Sequence, residues 1–328
     1  MKSASTMQPL FWPGRGHQAH PDFSFWCGND LVELRRRIPR FSSSIPSPKV
    51  PEPAQSLDTN FMVDLVLESM TEPVASTQRT GPIIIGIAGS VAVGKSSLAE
   101  AVAHTLGQLL APSKVATVST DGFLYSKEVL IDRRLMDRKG FPESYDRTAL
   151  LSFLSRASRG EARLPVPGYS HDLYDVVDDG QTLGPDVSIV ILEGLNILQD
   201  PGTVLDQLDN AWVRSYLAFS LFLDADEADL RRWYIQRSMK LRSAGEPAVK
   251  DGDPRKGRST ALRRLEERWT KINAVNLAEN ILPSRINADM VIRLGEEHDV
   301  IGVALARLDR NGRIFDLGRQ SLECSNYV

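Results

Sequence analysis

The chain has 328 residues, enough for one large domain or two ordinary ones. A net charge of -3 excludes the strongly basic surface of a nucleic-acid binder, and no apolar run approaches the roughly 20 residues that span a bilayer. Two cysteines near opposite ends, Cys27 and Cys324, argue for a reducing compartment and against a disulfide framework. With no secretory signal at the start, a soluble cytoplasmic protein is the expectation, and the acid-poor, Ser- and Arg-bearing N-terminus leaves an organelle open.

In chain order, residues 1–60 stand apart. The stretch IPRFSSSIPSPKVPEPAQS is rich in Pro and Ser and has little to bury, so 1–60 reads as largely disordered or linker-like. DLVELRRRI before it can form a short helix, and TNFMVDLVLESM (59–70) has apolar residues at helical spacing that can dock on the main domain. From residue 81 the pattern alternates. Strands are predicted at 83–88, 114–119, 187–192, 217–223 and 288–294, and helices at 96–110, 147–158, 226–243 and 260–280. Several strands are continuous aliphatic runs, as expected when both faces are covered. The alternation predicts an α/β domain over 61–310, a mostly parallel sheet flanked by helices on both faces, followed by a tail at 311–328 with no legible role.

Ligands of such sheets sit beyond the carboxyl ends of the strands, so the residues there carry the functional reading. After the first strand comes Gly89, Ser90, Val91, Ala92, Val93, Gly94, Lys95, Ser96 and Ser97, which fits G-x-x-x-x-G-K-[ST] with a strand before it and a helix after it. Small residues let successive amides curl around phosphate oxygens, the helix N-terminus adds positive potential, Lys95 reaches the outer phosphates, and Ser96 is placed for Mg²⁺. After the second strand, Asp121 in Thr-Asp-Gly-Phe is either a general base for an attacking hydroxyl or a turn aspartate. After the third, Glu193 closes VSIVILEG, as a Walker-B-like acid for metal or nucleophile, or as an ordinary strand-ending carboxylate. The span from Pro167 to Asp175 gathers hydroxyls, an imidazole and carboxylates, a substrate-site pattern without helical periodicity. Arg231 and Arg237 open the helix after the fourth strand, too far apart to share one spot, as phosphate-neutralising groups or as a solvated basic face.

Taken together, IIGIAGSVAVGKS, TDGFLY, LMDRKGFPESYDR, YSHDLYD, EGLNILQ, DADEADLRRWYIQR and NLAENILPSR resemble, in order and at similar spacing, the type I bacterial pantothenate kinases, over residues 81–308. The resemblance implies a P-loop kinase fold and ATP-dependent phosphorylation of pantothenate with Mg²⁺, the first step of coenzyme A synthesis. It implies Asp121 as base, Lys95 and Ser96 on phosphates and metal, and Glu193 as the acid of the family's EGLN motif. It also implies Arg237 bridging substrate and γ-phosphate, and His298 against the adenine. Tyr169, His171, Tyr234 and Asn273 correspond to positions that hold pantothenate or the pantetheine of coenzyme A.

Three departures temper that expectation. Ser238 and Leu241 stand where the family has phenylalanines, and the following lid appears as the aromatic-free SAGEPAVKDGDPRKGRS, so pantothenate binding should weaken or the acceptor should shift. Glu100 replaces a basic residue that meets coenzyme A phosphates, so feedback inhibition should be weak. The family's helical N-terminal region is not recognisable in 1–60, leaving a homodimer open. The alternatives are a kinase for another small acceptor (a nucleoside, a glycerate or a sugar phosphate) and a nucleotide- or coenzyme-A-binding regulator.

Overall fold

A computed structural model describes residues 12, 20, 22–42, 57–75, 80–170, 172–178, 180–200, 212–243 and 258–307. The elements begin with β1 (Phe23–Cys27), α1 (Gly28–Arg37) and α2 (Leu57–Ala75), followed by β2 (Ile83–Gly89), α3 (Lys95–Leu109) and β3 (Lys114–Ser119). Next come α4 (Lys127–Asp132) and α5 (Arg147–Ser158), then four short strands: β4 (Leu164–Pro165), β5 (Gly168–Ser170), β6 (Asp175–Val177) and β7 (Thr182–Leu183). The chain returns to the sheet in β8 (Val187–Gly194), passes α6 (Val213–Tyr216), and runs through β9 (Phe219–Ala225) into α7 (Glu227–Ser243). One helical rod spans 258–284: α8 (Arg258–Arg268), α9 (Ala274–Asn276) and α10 (Leu282–Ser284), joined by π-helical stretches Trp269–Asn273 and Leu277–Ile281. The hairpin of β10 (Met290–Leu294) and β11 (Val300–Ala306) follows.

The seven-stranded sheet has the order β1-β11-β10-β9-β2-β8-β3. Its five strands from β10 to β3 are parallel, and β11 and β1 add antiparallel at one edge. The aliphatic runs are buried as their composition requires: Ile84, Ile85 and Ile87 in β2 and Ile189 to Leu192 in β8 are all at most 2% exposed. Each such side chain stabilises the fold by roughly 1.5–3 kcal/mol. Gly86 in the middle of β2 is required by packing, because a Cβ there would lie 2.5 Å from the Leu217 side chain. Helix α3 buries Leu98, Ala99, Val102, Thr105 and Leu106, one stripe at helical spacing, against β2, β3, β8 and α2. Asp146 starts α5 by accepting from the Ala149 amide at 2.8 Å, and Leu150, Phe153, Leu154 and Ala157 form its buried face.

The five predicted strands form the parallel part of the sheet, with small shifts at their ends. The fourth begins at Phe219 rather than 217, because Leu217 belongs to the turn after α6, and the fifth begins at Met290, where Asp289 is tied to Ser220. The last helix overruns its predicted end by four residues, and Pro283 sits in its final turn, where its missing N–H gives up one backbone bond as the helix ends.

Besides the short strands β4 to β7, two strands of the large sheet were not predicted. β11 (VIGVALA) pairs with β10, and β1 (FSFWC) pairs with β11 in the register Phe25 to Ala304. β1, α1 and the first residues of α2 fall within the stretch read as linker-like, yet they belong to the main sheet and its core: Phe23, Phe25, Leu31 and Leu34 are buried. Trp12 joins them, its indole donating to Asp224 at 2.6 Å while its ring meets Phe25 edge-on. The Pro/Ser-rich 43–56, most of the altered lid and the tail at 311–328 lie outside the described residues. Cys27, at the end of β1, is disulfide-bonded, a correction to the expectation of unpaired thiols. No described helix is long and apolar enough to cross a membrane.

Candidate active site

The loop after β2 has the backbone that its small residues permit. Gly89 has φ +142° and its α-carbon packs so tightly that a Cβ would lie 2.6 Å from the Leu223 carbonyl. Ala92 and Gly94 also take positive φ, at +63° and +99°, and Gly94 caps α3 with Lys95 as the first helical residue. Lys95 is buried, and its ammonium donates to the Ser90 carbonyl at 2.7 Å. Burial pulls its pKa down, while Glu193 and Asp121 hold it up and Arg237 opposes them. One ammonium therefore feels three of the residues singled out in the sequence. Ser96 donates to Glu193 Oε1 at 3.2 Å, so the helix start and the end of β8 meet. Ser90 Oγ is buried without a hydrogen-bond partner, an orphan polar atom in the concave side of the loop. Val91 and Ser97 are half-buried and Val93 is buried, filling the loop's underside.

Asp121 lies in a single 3₁₀ turn directly after β3, its amide held by Ser119 Oγ at 3.3 Å. Two glycines let this turn nestle. A Cβ on Gly122 would meet the Pro167 carbonyl at 2.2 Å, and one on Gly194 would meet Thr120 Oγ1 at 1.9 Å. The ends of β3 and β8 and the start of β5 are thus pressed together around Asp121. Tyr145, fully buried, donates its hydroxyl toward Asp121 Oδ1 at 3.4 Å; burial and the Asp121 charge push its pKa well up, so it stays a donor.

Beyond Asp121 lies an aromatic wall. Lys139 lies 3.9 Å from the Tyr174 ring centre and 4.9 Å from that of Tyr169, and donates to the Tyr174 carbonyl at 2.7 Å. Burial lowers its pKa to about 8, against the pull of Asp175 and Asp121. The Tyr169 and Tyr174 hydroxyls are pushed up by burial, each also sensing Asp121. Tyr234 on α7 is raised by burial and stands with Asn273, Ser238 and Arg268 at its hydroxyl; its ring leans on Trp269. Asn273 Nδ2 is buried without a hydrogen-bond partner, a second orphan donor.

The predicted residues therefore divide. Lys95 stands with Glu193, Asp121 and Arg237, and Ser96 bonds Glu193; Tyr169 and Tyr174 lie near Asp121, and Tyr234 with Asn273 lies next to Tyr174. His171 lies outside the described residues. His298, in the β10–β11 turn at φ +60°, stacks on Trp233 with ring centres 3.7 Å apart, and burial lowers its pKa. Arg231 and Arg237 do have different surroundings: Arg231 forms an ion pair with Glu266 that joins α7 to α8. Two residues at the site, Lys139 and Tyr145, were given no role from the sequence, while Tyr174 lay within the Pro167–Asp175 span read as a substrate-site pattern. The dense run Lys-Gly-Phe-Pro-Glu-Ser-Tyr-Asp was the available signal for both.

Among the described residues no cluster of three or more His, Cys, Asp or Glu side chains is placed to hold a metal ion. The Ser96–Glu193 pair offers hard oxygens beside the phosphate loop, which fits Mg²⁺ that draws its other ligands from phosphate and water. Lys95 and the orphan Ser90 hydroxyl fit a polyphosphate in the same loop.

Residues 84–256 match the Phosphoribulokinase / Uridine kinase family. Curated relatives named pantothenate kinase include one from Allorhizobium ampelinum, 40% identical over 74% of this chain and 75% of its own length, and one from Parvibaculum lavamentivorans, 43% identical over 69% and 71%. A third, from Myxococcus xanthus, is 41% identical over 71% and 74%. Among solved structures, a candidate fructose transport system kinase from Silicibacter sp. TM1040 superposes with a TM-score of 0.53 at 20% identity, covering 68% of this chain and 94% of that one, a likeness of fold. The P-loop, the acid-bearing strand ends and these relatives lead to one conclusion: the chain belongs to the pantothenate kinase family of P-loop kinases.

Proposed function

We infer that this protein transfers the γ-phosphoryl group of ATP to the primary hydroxyl of pantothenate, forming 4′-phosphopantothenate and ADP. The observation that carries the reading is the meeting of Lys95 and Ser96 at the helix start with Glu193 and Asp121 at the ends of β8 and β3. The acceptor follows from the relatives named pantothenate kinase.

Mg²⁺-ATP, when bound, supplies the phosphoryl group and neutralises charge on its outer phosphates. The amides from Gly89 to Ser97 and the Lys95 ammonium would hold those phosphates, and Ser96 and Glu193 would hold the metal. Asp121 takes the proton of the substrate hydroxyl as its oxygen bonds to phosphorus and the bond to the β-phosphate oxygen breaks. Tyr145 keeps the Asp121 carboxylate turned toward the acceptor. Arg237 balances negative charge between the two substrates. Tyr169, Tyr234 and Asn273, with His171, would bind pantothenate, the Asn273 amide offering its unpartnered N–H. Lys139 adds positive charge on the acceptor side. His298, backed by Trp233, would lie against adenine. Little covalent work is asked of the protein; positioning and charge supply most of the acceleration.

A second reading, another small hydroxylated acceptor, is favoured by Ser238, which places a polar group at the Tyr234 hydroxyl where the family resemblance calls for an apolar wall. Glu100, exposed on α3 one turn beyond Ser96, supports weak inhibition by coenzyme A. Purified protein with Mg²⁺-ATP and an acceptor panel, read by mass spectrometry, tests both readings. Formation of 4′-phosphopantothenate is expected; turnover only with a different alcohol would replace the first reading by the second.

A further inference from the structure

Behind the acceptor wall lies a closed ring of amides. The Gly140 carbonyl accepts from Asn196 Nδ2 at 3.0 Å and from Asn276 Nδ2 at 2.9 Å, filling both of its lone pairs. Asn280 Nδ2 donates to Asn276 Oδ1 at 3.0 Å. Gln199 Nε2 donates to Asn196 Oδ1 at 2.9 Å and to the Asn280 carbonyl at 3.4 Å, which closes the circuit. The ring joins three segments far apart in sequence: the loop bearing Lys139, the turn that follows Glu193 and Gly194 at the end of β8, and the helical rod bearing Asn273.

We propose that this amide ring is a positioning device for the acceptor site, setting Lys139 and Asn273 in fixed relation to Glu193 and Asp121. The proposal rests on the kinase reading above. Three features of the geometry support it. Gly140 has φ +95°, so the backbone beside Lys139 takes a conformation that other residues resist, and two donors fix its carbonyl there. Asn276 is 5% exposed and lies between two π-helical stretches, which rotate the rod so that Asn273 and Asn276 serve the acceptor site and the ring respectively. A Cβ on Gly140 would meet Leu195 at 3.6 Å, so the loop also rests on the turn it is bonded to. A satisfied polar network with several members is stiff, and cutting one member leaves buried groups unpaired. Lys139 is the natural reporter. The groups facing it are Asp175, Asp121 and Lys127 as charges, and Tyr169 and Tyr174 as rings. Its titration near 8 depends on how deeply the loop holds it.

The test compares Asn276→Ala, which cuts the ring, with Asn287→Ala, which removes a bond of the same kind outside it, Asn287 Nδ2 to the Leu198 carbonyl at 2.9 Å. Asn196→Ala is the second ring variant should Asn276→Ala fail to fold. Expected for the ring variants is a kcat/KM for pantothenate lowered about tenfold to a hundredfold, with the Kd of a non-hydrolysable ATP analogue changed less than about twofold. Amine labelling of Lys139 across pH, read by peptide mass spectrometry, should show its midpoint moving above 8. Asn287→Ala should lower Tm comparably and leave kinetics and labelling unchanged. Equal kinetic losses in both classes, or an unmoved Lys139 midpoint, would overturn the proposal. If the wild type does not phosphorylate pantothenate, the functional reading fails, and the labelling comparison alone still decides the ring.

Discussion

The two halves of the site are built in opposite ways. The proposed phosphate half is one uninterrupted run, Gly89 to Ser97, in which backbone amides and a helix start would do the binding. The acceptor half is assembled from side chains that the fold collects: Asp121 after β3, Lys139 and Tyr145 from one loop, Tyr169 and Tyr174 from the β5–β6 hairpin, Tyr234 from α7 and Asn273 from the rod. A backbone cradle tolerates drift in neighbouring elements. A side-chain assembly requires that five segments agree in position, which is why glycines at 122 and 194 let backbone come within contact distance around Asp121. The first half can be shared by every P-loop kinase; the second must be particular to the alcohol it accepts.

Perturbing each half should separate them. The largest effect is expected from Asp121→Asn, which removes the proton acceptor. Turnover should fall by roughly two to four orders of magnitude, with the Kd for ATP little changed by calorimetry. Comparable loss of nucleotide affinity would mean that Asp121 belongs to the phosphate half. Next is Gly194→Ala. Its methyl group would collide with Thr120, whose hydroxyl is already buried without a partner, so a destabilisation of about 1–3 kcal/mol in urea unfolding is expected together with lost activity. A stable, fully active variant would show that the β3–β8 junction is not tight.

The third test is pH. The charged form of Lys139 prevails below about 8 and is lost as pH rises through that value. If its charge serves the acceptor, kcat/KM for pantothenate should decline above about pH 8, and Lys139→Arg should carry that limb upward, since guanidinium stays protonated. An unmoved limb would assign it to another group. The smallest effect is expected from Tyr145→Phe, which removes a long hydrogen bond to Asp121; a loss of about 1 kcal/mol in transition-state stabilisation, roughly fivefold in kcat, is the measurement to make.

The same contrast explains what was legible in the sequence. The parallel strands announced themselves because burial on both faces demands aliphatic runs, and the phosphate loop did so because its chemistry is contiguous. Asp121 and Glu193 could be found by looking just past strand ends. Lys139 and Tyr145 could not be assigned, because nothing local says that a lysine 18 residues beyond Asp121 folds back between two tyrosine rings. The strands β1 and β11 were missed for a related reason. β11 mixes glycine and alanine into its run, and β1 is only five residues long; β11 is a strand because β10 and β1 pair with it, and β1 because β11 does. The Ser96–Glu193 contact was anticipated in kind, but the ring around Gly140 depends on amides whose partners lie up to 136 residues away.

The pairing of β1 with β11 has a practical side. A fragment trimmed to begin at the phosphate-binding strand would strip β11 of its neighbour and leave Gly302–Ala306 with unpaired N–H and C=O groups along a largely apolar border. Such borders recruit strands from other molecules. Pairing by the early residues covers that border, and shortened versions of this enzyme are expected to aggregate more readily than the longer chain, a difference that light scattering at matched concentration would measure.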